Sequence, residues 1–135
     1  MTNTLTALGG FAAWFVLLTL TLGFFRIGHV FSGRKAANSF AVNGSDLPGF
    51  GERVTRARDN CYETLPVFAA LALVAYASSR LAVTDPLAMW VLYARIGQSL
   101  CHLASLSVPV VLLRANLFFA QVLIYLYWSW QLLCA

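Results

Sequence analysis

The sequence predicts an all-α fold: an integral membrane four-helix bundle formed by a single domain over residues 1–135. Three observations predict it. Hydrophobic residues make up 60% of the chain and charged residues 10%, whereas roughly a quarter of an ordinary soluble domain is charged. The apolar residues gather into four runs, and about 20 residues suffice to span a bilayer. The basic residues collect in and beside one loop: Arg26, Arg34, Lys35, Arg53, Arg56 and Arg58. That asymmetry is typical of a cytoplasmic loop.

The first run, Thr4 to Phe25, carries no charge and is closed by Arg26. It lacks a basic leading segment and a small-residue cleavage pattern, so it reads as a permanent helix over 4–30 and not as a signal peptide. Residues 28–59 form the polar connection. Asn43-Gly44-Ser45-Asp46 and Leu47-Pro48-Gly49 break any helix there. The second helix is expected over 52–79. Its charged first turns stand above the bilayer, and Pro66 should kink it. Arg80 and Thr84-Asp85-Pro86 predict a tight turn. The third helix is expected over 86–107, with Pro86 at its first position. Ser107-Val108-Pro109 breaks it, and a fourth helix is expected over 110–133. Tyr125, Tyr127, Trp128 and Trp130 near its end predict an interfacial aromatic belt.

With four spans, the first and third loops share a side. The basic first loop and Arg114 place both loops in the cytoplasm and both termini on the opposite side. The formal charge of +4 does not argue for nucleic acid, because the basic residues form no long stripe. Cys61, Cys101 and Cys134 match no zinc spacing and read as small buried hydrophobes. The two histidines are too far apart, with no clustered acid, to suggest a metal site.

The chemistry lies in two polar stripes set into membrane-length segments. Arg56, Asn60 and Glu63 stand at i, i+4 and i+7 and share one helix face, with Arg53 one turn earlier. Arg95, Ser99 and His102 repeat that spacing on the third helix, with Gln98 adjacent. Ionisable groups at bilayer depth are costly, so they imply a partner or a function. Glu63 can pair with Arg95, and Asn60, Gln98, Ser99 and His102 can complete a hydrogen-bond network. Two readings follow. The pair could staple two helices and do nothing more, or it could also line a ligand site. The second reading rests on an excess of cations: Arg53, Arg56, Arg58 and Arg114 crowd one end and form an anion-attracting mouth.

Arg56-Ala-x-x-Asn60-x-x-Glu63 followed by Pro66, then Ala94-Arg95 and a polar run, resembles the MAPEG family, the membrane-associated proteins in eicosanoid and glutathione metabolism. The similarity covers nearly the whole chain. It implies a homotrimer with intersubunit sites that bind glutathione. It also implies an apolar electrophile or lipid peroxide as the second substrate, arriving from the membrane lipids. On that resemblance Arg56, Asn60 and Glu63 would hold the glutathione peptide and Arg95 would pair with Glu63. Arg53, Gln98 and Ser99 join them as candidate binding residues. Gln98 and His102 stand where eicosanoid-forming members carry a tyrosine or histidine and then a tyrosine. Asp59 stands where some carry an arginine. Arg114 is the candidate for the thiol-activating arginine, with His102 beside it as a second catalytic candidate. The pattern is closest to a bacterial-type branch, which implies a bacterial inner membrane.

These features frame two functions: a glutathione-dependent transferase or peroxidase, or a non-catalytic module holding a lipid head group or other anionic metabolite in the same pocket. A transporter fits less well, since the chain has no pair of interrupted helices.

Overall fold

The computed structural model describes residues 1–47 and 49–135; Pro48, expected to help break the chain before the second helix, lies outside them. Four helices account for most of the chain: α1 (Asn3–Phe31), α2 (Phe50–Ala77), α3 (Leu81–Ala104) and α4 (Val108–Leu133). Among the described residues there is no strand. Three of the helices, α1, α2 and α4, are long and apolar enough to cross a membrane. The fourth, α3, carries the buried polar stripe and packs against all of the others, while the backbones of α1 and α4 stay apart among the described residues.

Burial follows the helical period. On α2 the inward face runs through Val54, Ala57, Cys61, Thr64, Phe68, Leu71 and Ala75. On α4 it runs through Gln121, Tyr125, Trp128 and Leu132. Phe68 lies at the centre, its ring centroid 6.0 Å from Phe11 and 5.8 Å from Trp128. Gly10 lets α1 approach α3 closely, because a Cβ there would stand 2.8 Å from a methyl of Leu92. The outer surface is apolar instead of charged: Phe24, Leu73, Trp90 and Leu123 are each about two-thirds exposed. A water-soluble monomer rarely shows apolar surface on that scale, whereas lipid solvates it. The chain is an integral membrane protein.

Several boundaries differ from the sequence expectation. α3 begins at Leu81, ahead of Pro86, and Thr84 and Asp85 are helical instead of forming a turn. Their side chains find partners across the bundle. Thr4 Oγ1 lies 2.7 Å from Thr84 Oγ1, and the Thr4 amide donates to Asp85 Oδ1 at 2.9 Å. Asp85 therefore serves the start of α1, where amides lack intrahelical acceptors. The reversal falls at Ser78–Arg80 instead, with Ser79 at φ 56°. Arg80 reaches the far end of α4 and donates to the Gln131 and Leu132 carbonyls at 2.7 and 3.2 Å. α3 closes at Ala104, and α4 opens at Val108 with Pro109 in its first turn, where the missing N–H has no cost. α2 continues past Pro66, which lies on its exposed face, to Ala77.

The expected aromatic belt divides in two. Tyr127 and Trp130 are exposed, but Tyr125 and Trp128 are buried in the core. Aromatic residues close together on a helix point to different sides.

The α1–α2 connection is folded down by a clip. Lys35 Nζ pairs with Asp46 Oδ2 at 2.7 Å, and the same oxygen accepts the Ala41 amide at 3.0 Å. The Lys35 hydrogen bond, with help from the Ala41 amide, holds the Asp46 carboxyl below its ordinary value.

Candidate functional site on the outer face of α2

Glu52, Arg56, Asp59, Asn60 and Glu63 occupy one side of α2 at helical spacing. That side flanks the buried face and looks out of the bundle. With Asn43 and Ser45 of the α1–α2 connection these residues line an open groove of about 440 Å³. Two ion pairs organise it. Arg56 donates to Glu52 at 2.6 Å, one turn back, and Arg58 donates to Asp59 at 2.6 Å. Exposed pairs of this kind add at most about 1 kcal/mol of stability. They leave Glu63 as the groove carboxylate that forms no ion pair among the described residues.

Behind the groove lies the second polar stripe. Arg95 is fully buried, as are Gln98 and Ser99 to within a few per cent. The pair expected between Arg95 and Glu63 is not formed within the chain. Arg95 Nη1 donates instead to the side-chain and backbone oxygens of Asn60. The reason is rotational: Glu63 is exposed on the outer side of α2, whereas Asn60 is turned far enough inward to reach α3. The guanidinium also lies 5.3 Å from the Phe11 ring centroid, a cation–π contact that partly offsets its desolvation. Its Nε and Nη2 have no protein partner.

The other members of the stripe satisfy one another. Ser99 Oγ donates to the Arg95 carbonyl at 3.0 Å. Ser99 has then spent its proton, so the Cys61 thiol, 3.5 Å away, is the donor to Ser99 Oγ. Gln98 Oε1 accepts from Gln121 Nε2 of α4 at 3.1 Å. Gln121 has no counterpart in the sequence reading, although a lone amide in an apolar helix signals an interhelical hydrogen bond.

At the basic end, Arg53 Nε donates to the Leu103 carbonyl at 2.9 Å and ties α2 to the last turn of α3. Arg114 Nη1 lies 3.3 Å from His102 Nδ1. A guanidinium can only donate, so Nδ1 accepts and His102 is the neutral tautomer with its proton on Nε2. That nitrogen is buried and has no partner.

The seven sequence-derived binding candidates therefore fall into three places. Arg56, Asn60 and Glu63 share the groove; Arg95, Gln98 and Ser99 form the network behind it; Arg53 braces the end of α3. His102 and Arg114 are joined to each other and do not line the groove. Glu52, Asp59, Asn43 and Ser45 are the groove residues that the sequence reading did not select. Glu52 could have been found from its position one turn before Arg56.

A polar stripe of this composition, facing out of a four-helix membrane bundle, coincides with a family match. The model of the MAPEG family matches residues 4–134. The chain belongs to the MAPEG family. That match covers nearly the whole bundle, including both polar stripes and the groove. No curated protein and no solved structure matches the chain. MAPEG membership brings glutathione transferases and peroxidases into consideration.

Proposed function

We propose that this MAPEG chain is a glutathione-dependent transferase or peroxidase acting on apolar electrophiles or lipid peroxides. It works as a homotrimer in a bacterial inner membrane, with its basic loops in the cytoplasm and a neighbouring copy closing the groove. The observation that carries the reading is the charge arrangement of the groove: one guanidinium, Arg56, beside one carboxylate with no ion-pair partner, Glu63, with the Asn60 amide between them. Glutathione presents both carboxylates and an ammonium. Arg56 would take a carboxylate, Glu63 the ammonium, and Asn60 a peptide group. Arg95 acts as a positioning residue, since it holds Asn60 from behind.

Bound glutathione would supply a thiol nucleophile. A free thiol has a pKa of about 8.5, so a cation or donor must favour its thiolate. Arg114 would be the cation for that task, with His102 holding it in place, and both would act from beyond the groove lining.

A second reading is a non-catalytic module that holds a lipid head group or another anionic metabolite in the same pocket. It is favoured by the position of His102 and Arg114 away from the groove lining. Three carboxylates against one guanidinium in that lining weigh against it, because such a groove repels a purely anionic ligand.

Calorimetry on the detergent-solubilised protein separates the readings. Glutathione should bind, and Glu63→Gln should lose that binding while the assembly keeps its size. No binding at millimolar glutathione, with an acidic metabolite or phospholipid co-purifying, would favour the second reading.

A further inference from the structure

We propose that a second groove, at the end of α1, is a binding site for one anionic phospholipid. It shares no lining residue with the α2 groove and does not depend on the reading above. The groove has a volume of about 500 Å³. One wall is a single face of α1: Gly23, Arg26, Ile27 and Val30, at i, i+3, i+4 and i+7. Phe31 closes the end of that wall, and Phe40 of the returning loop forms the other.

The depth fits a phospholipid. α1 has 29 residues, roughly 43 Å at 1.5 Å per residue, against about 30 Å of hydrocarbon in a bilayer. The uncharged run ends at Arg26, so this guanidinium stands where lipid phosphates lie. Below it the groove opens onto exposed apolar surface at Leu20, Phe24 and Ile27, which suits an acyl chain.

The charge fits as well. Arg26 donates through Nη2 to the Ala41 carbonyl at 3.3 Å, and its guanidinium lies 5.5 Å from the Phe40 ring centroid. Its Nε is buried without a partner, and among the described residues no carboxylate pairs with it. Lys35, on the same Phe40 ring, is already neutralised by Asp46. Residues 26–46 carry Arg26, Arg34 and Lys35 against Asp46 alone, a net charge of +2. A phosphate would supply charged oxygen acceptors beyond the one carbonyl this guanidinium has, and basic residues at the membrane surface attract anionic lipid.

Gly23 lines the groove wall. Glycine inside a helix is destabilising relative to alanine, and nothing lies within 4 Å of where its Cβ would stand. Among the described residues of this chain no close helix contact requires a glycine here. The missing side chain leaves the groove open.

Native mass spectrometry tests the site. The protein in detergent is offered equal amounts of phosphatidylglycerol and phosphatidylcholine with identical acyl chains. Phosphatidylglycerol should be retained preferentially, and Arg26→Gln should reduce that preference about fivefold. Gly23→Leu should remove the retained lipid by filling the groove. Gly9→Leu, also facing open space but near the other end of α1, should change nothing. Gly23→Leu keeps the test valid if Arg26→Gln fails to fold. Equal retention of the two lipids, or Gly23→Leu behaving like Gly9→Leu, would overturn the proposal. So would a change in oligomer mass at constant lipid count, which would assign the groove to a second copy of the chain.

Discussion

Arg95 and Asn60 join the two polar stripes: the guanidinium of a fully buried arginine on α3 donates to both oxygens of an α2 residue that also lines the outer groove. No carboxylate of the chain forms an ion pair with this arginine among the described residues. An amide, a carbonyl and the Phe11 ring are what the bundle supplies instead.

Removing that amide should therefore be costly. Neutral hydrogen bonds inside membrane bundles average about 0.6 kcal/mol, but bonds to a charged group are worth roughly 1.5–3 kcal/mol. Asn60→Leu should lower stability by about 2 kcal/mol in thermal unfolding of the detergent-solubilised protein. Asn60→Asp should match or exceed the parent, because it places a carboxylate against Arg95. An Asn60→Leu protein as stable as the parent would show that Arg95 is satisfied by other means.

Arg80 caps a helix from across the bundle. Its two bonds to the Gln131 and Leu132 carbonyls bring a cation to the negative end of the α4 dipole. Arg80→Ala should cost about 1–2 kcal/mol and speed amide hydrogen exchange in the last turn of α4. Exchange in the middle of α1 should not change. Arg80→Lys should recover only part of the loss, since an ammonium lacks the planar fork that reaches two carbonyls.

The Lys35–Asp46 clip gives the α1–α2 connection a pH dependence of known sign. The Asp46 carboxyl is held below its ordinary 3.8 in the folded protein. Its contribution is thus fully present above about pH 4 and is lost as pH falls through the depressed folded value. The Ala41 amide, which donates to the same carboxylate, should be protected relative to its intrinsic exchange rate above the depressed value and lose that protection as pH falls through it. Lys35→Met should bring the carboxyl back towards 3.8 and move that transition to higher pH. Because the pair is partly exposed, added salt should weaken the effect. A transition unmoved by Lys35→Met would assign the protection of Ala41 to another group.

The local periodicity of the chain was enough to show four helices, three of them apolar enough to span a membrane, a basic first connection, and Arg56, Asn60 and Glu63 on a common side of α2. These follow from side-chain polarity and the 3.6-residue turn, which every residue carries regardless of its neighbours. The bounds of α3 were less legible. Proline and a Thr-Asp pair read locally as a turn, but Thr84 and Asp85 meet Thr4 of α1, and that distant contact makes the helical alternative favourable. Tyr125 and Trp128 were misread for a similar reason: an aromatic residue near a helix end suits both the membrane interface and the core.

By itself the sequence determined that this is a helical membrane bundle with two polar stripes. Tertiary structure decided which groups meet. Asn60 and Glu63 are three residues apart, which turns them roughly 60° from each other on a helix, so both belong to the same stripe. The rotation of α2 against α3 turns Asn60 towards Arg95 and leaves Glu63 in the groove. The same face of α2 packs Phe68 against Phe11 of α1 and against Tyr125 and Trp128 of α4, a relationship that no local pattern contains.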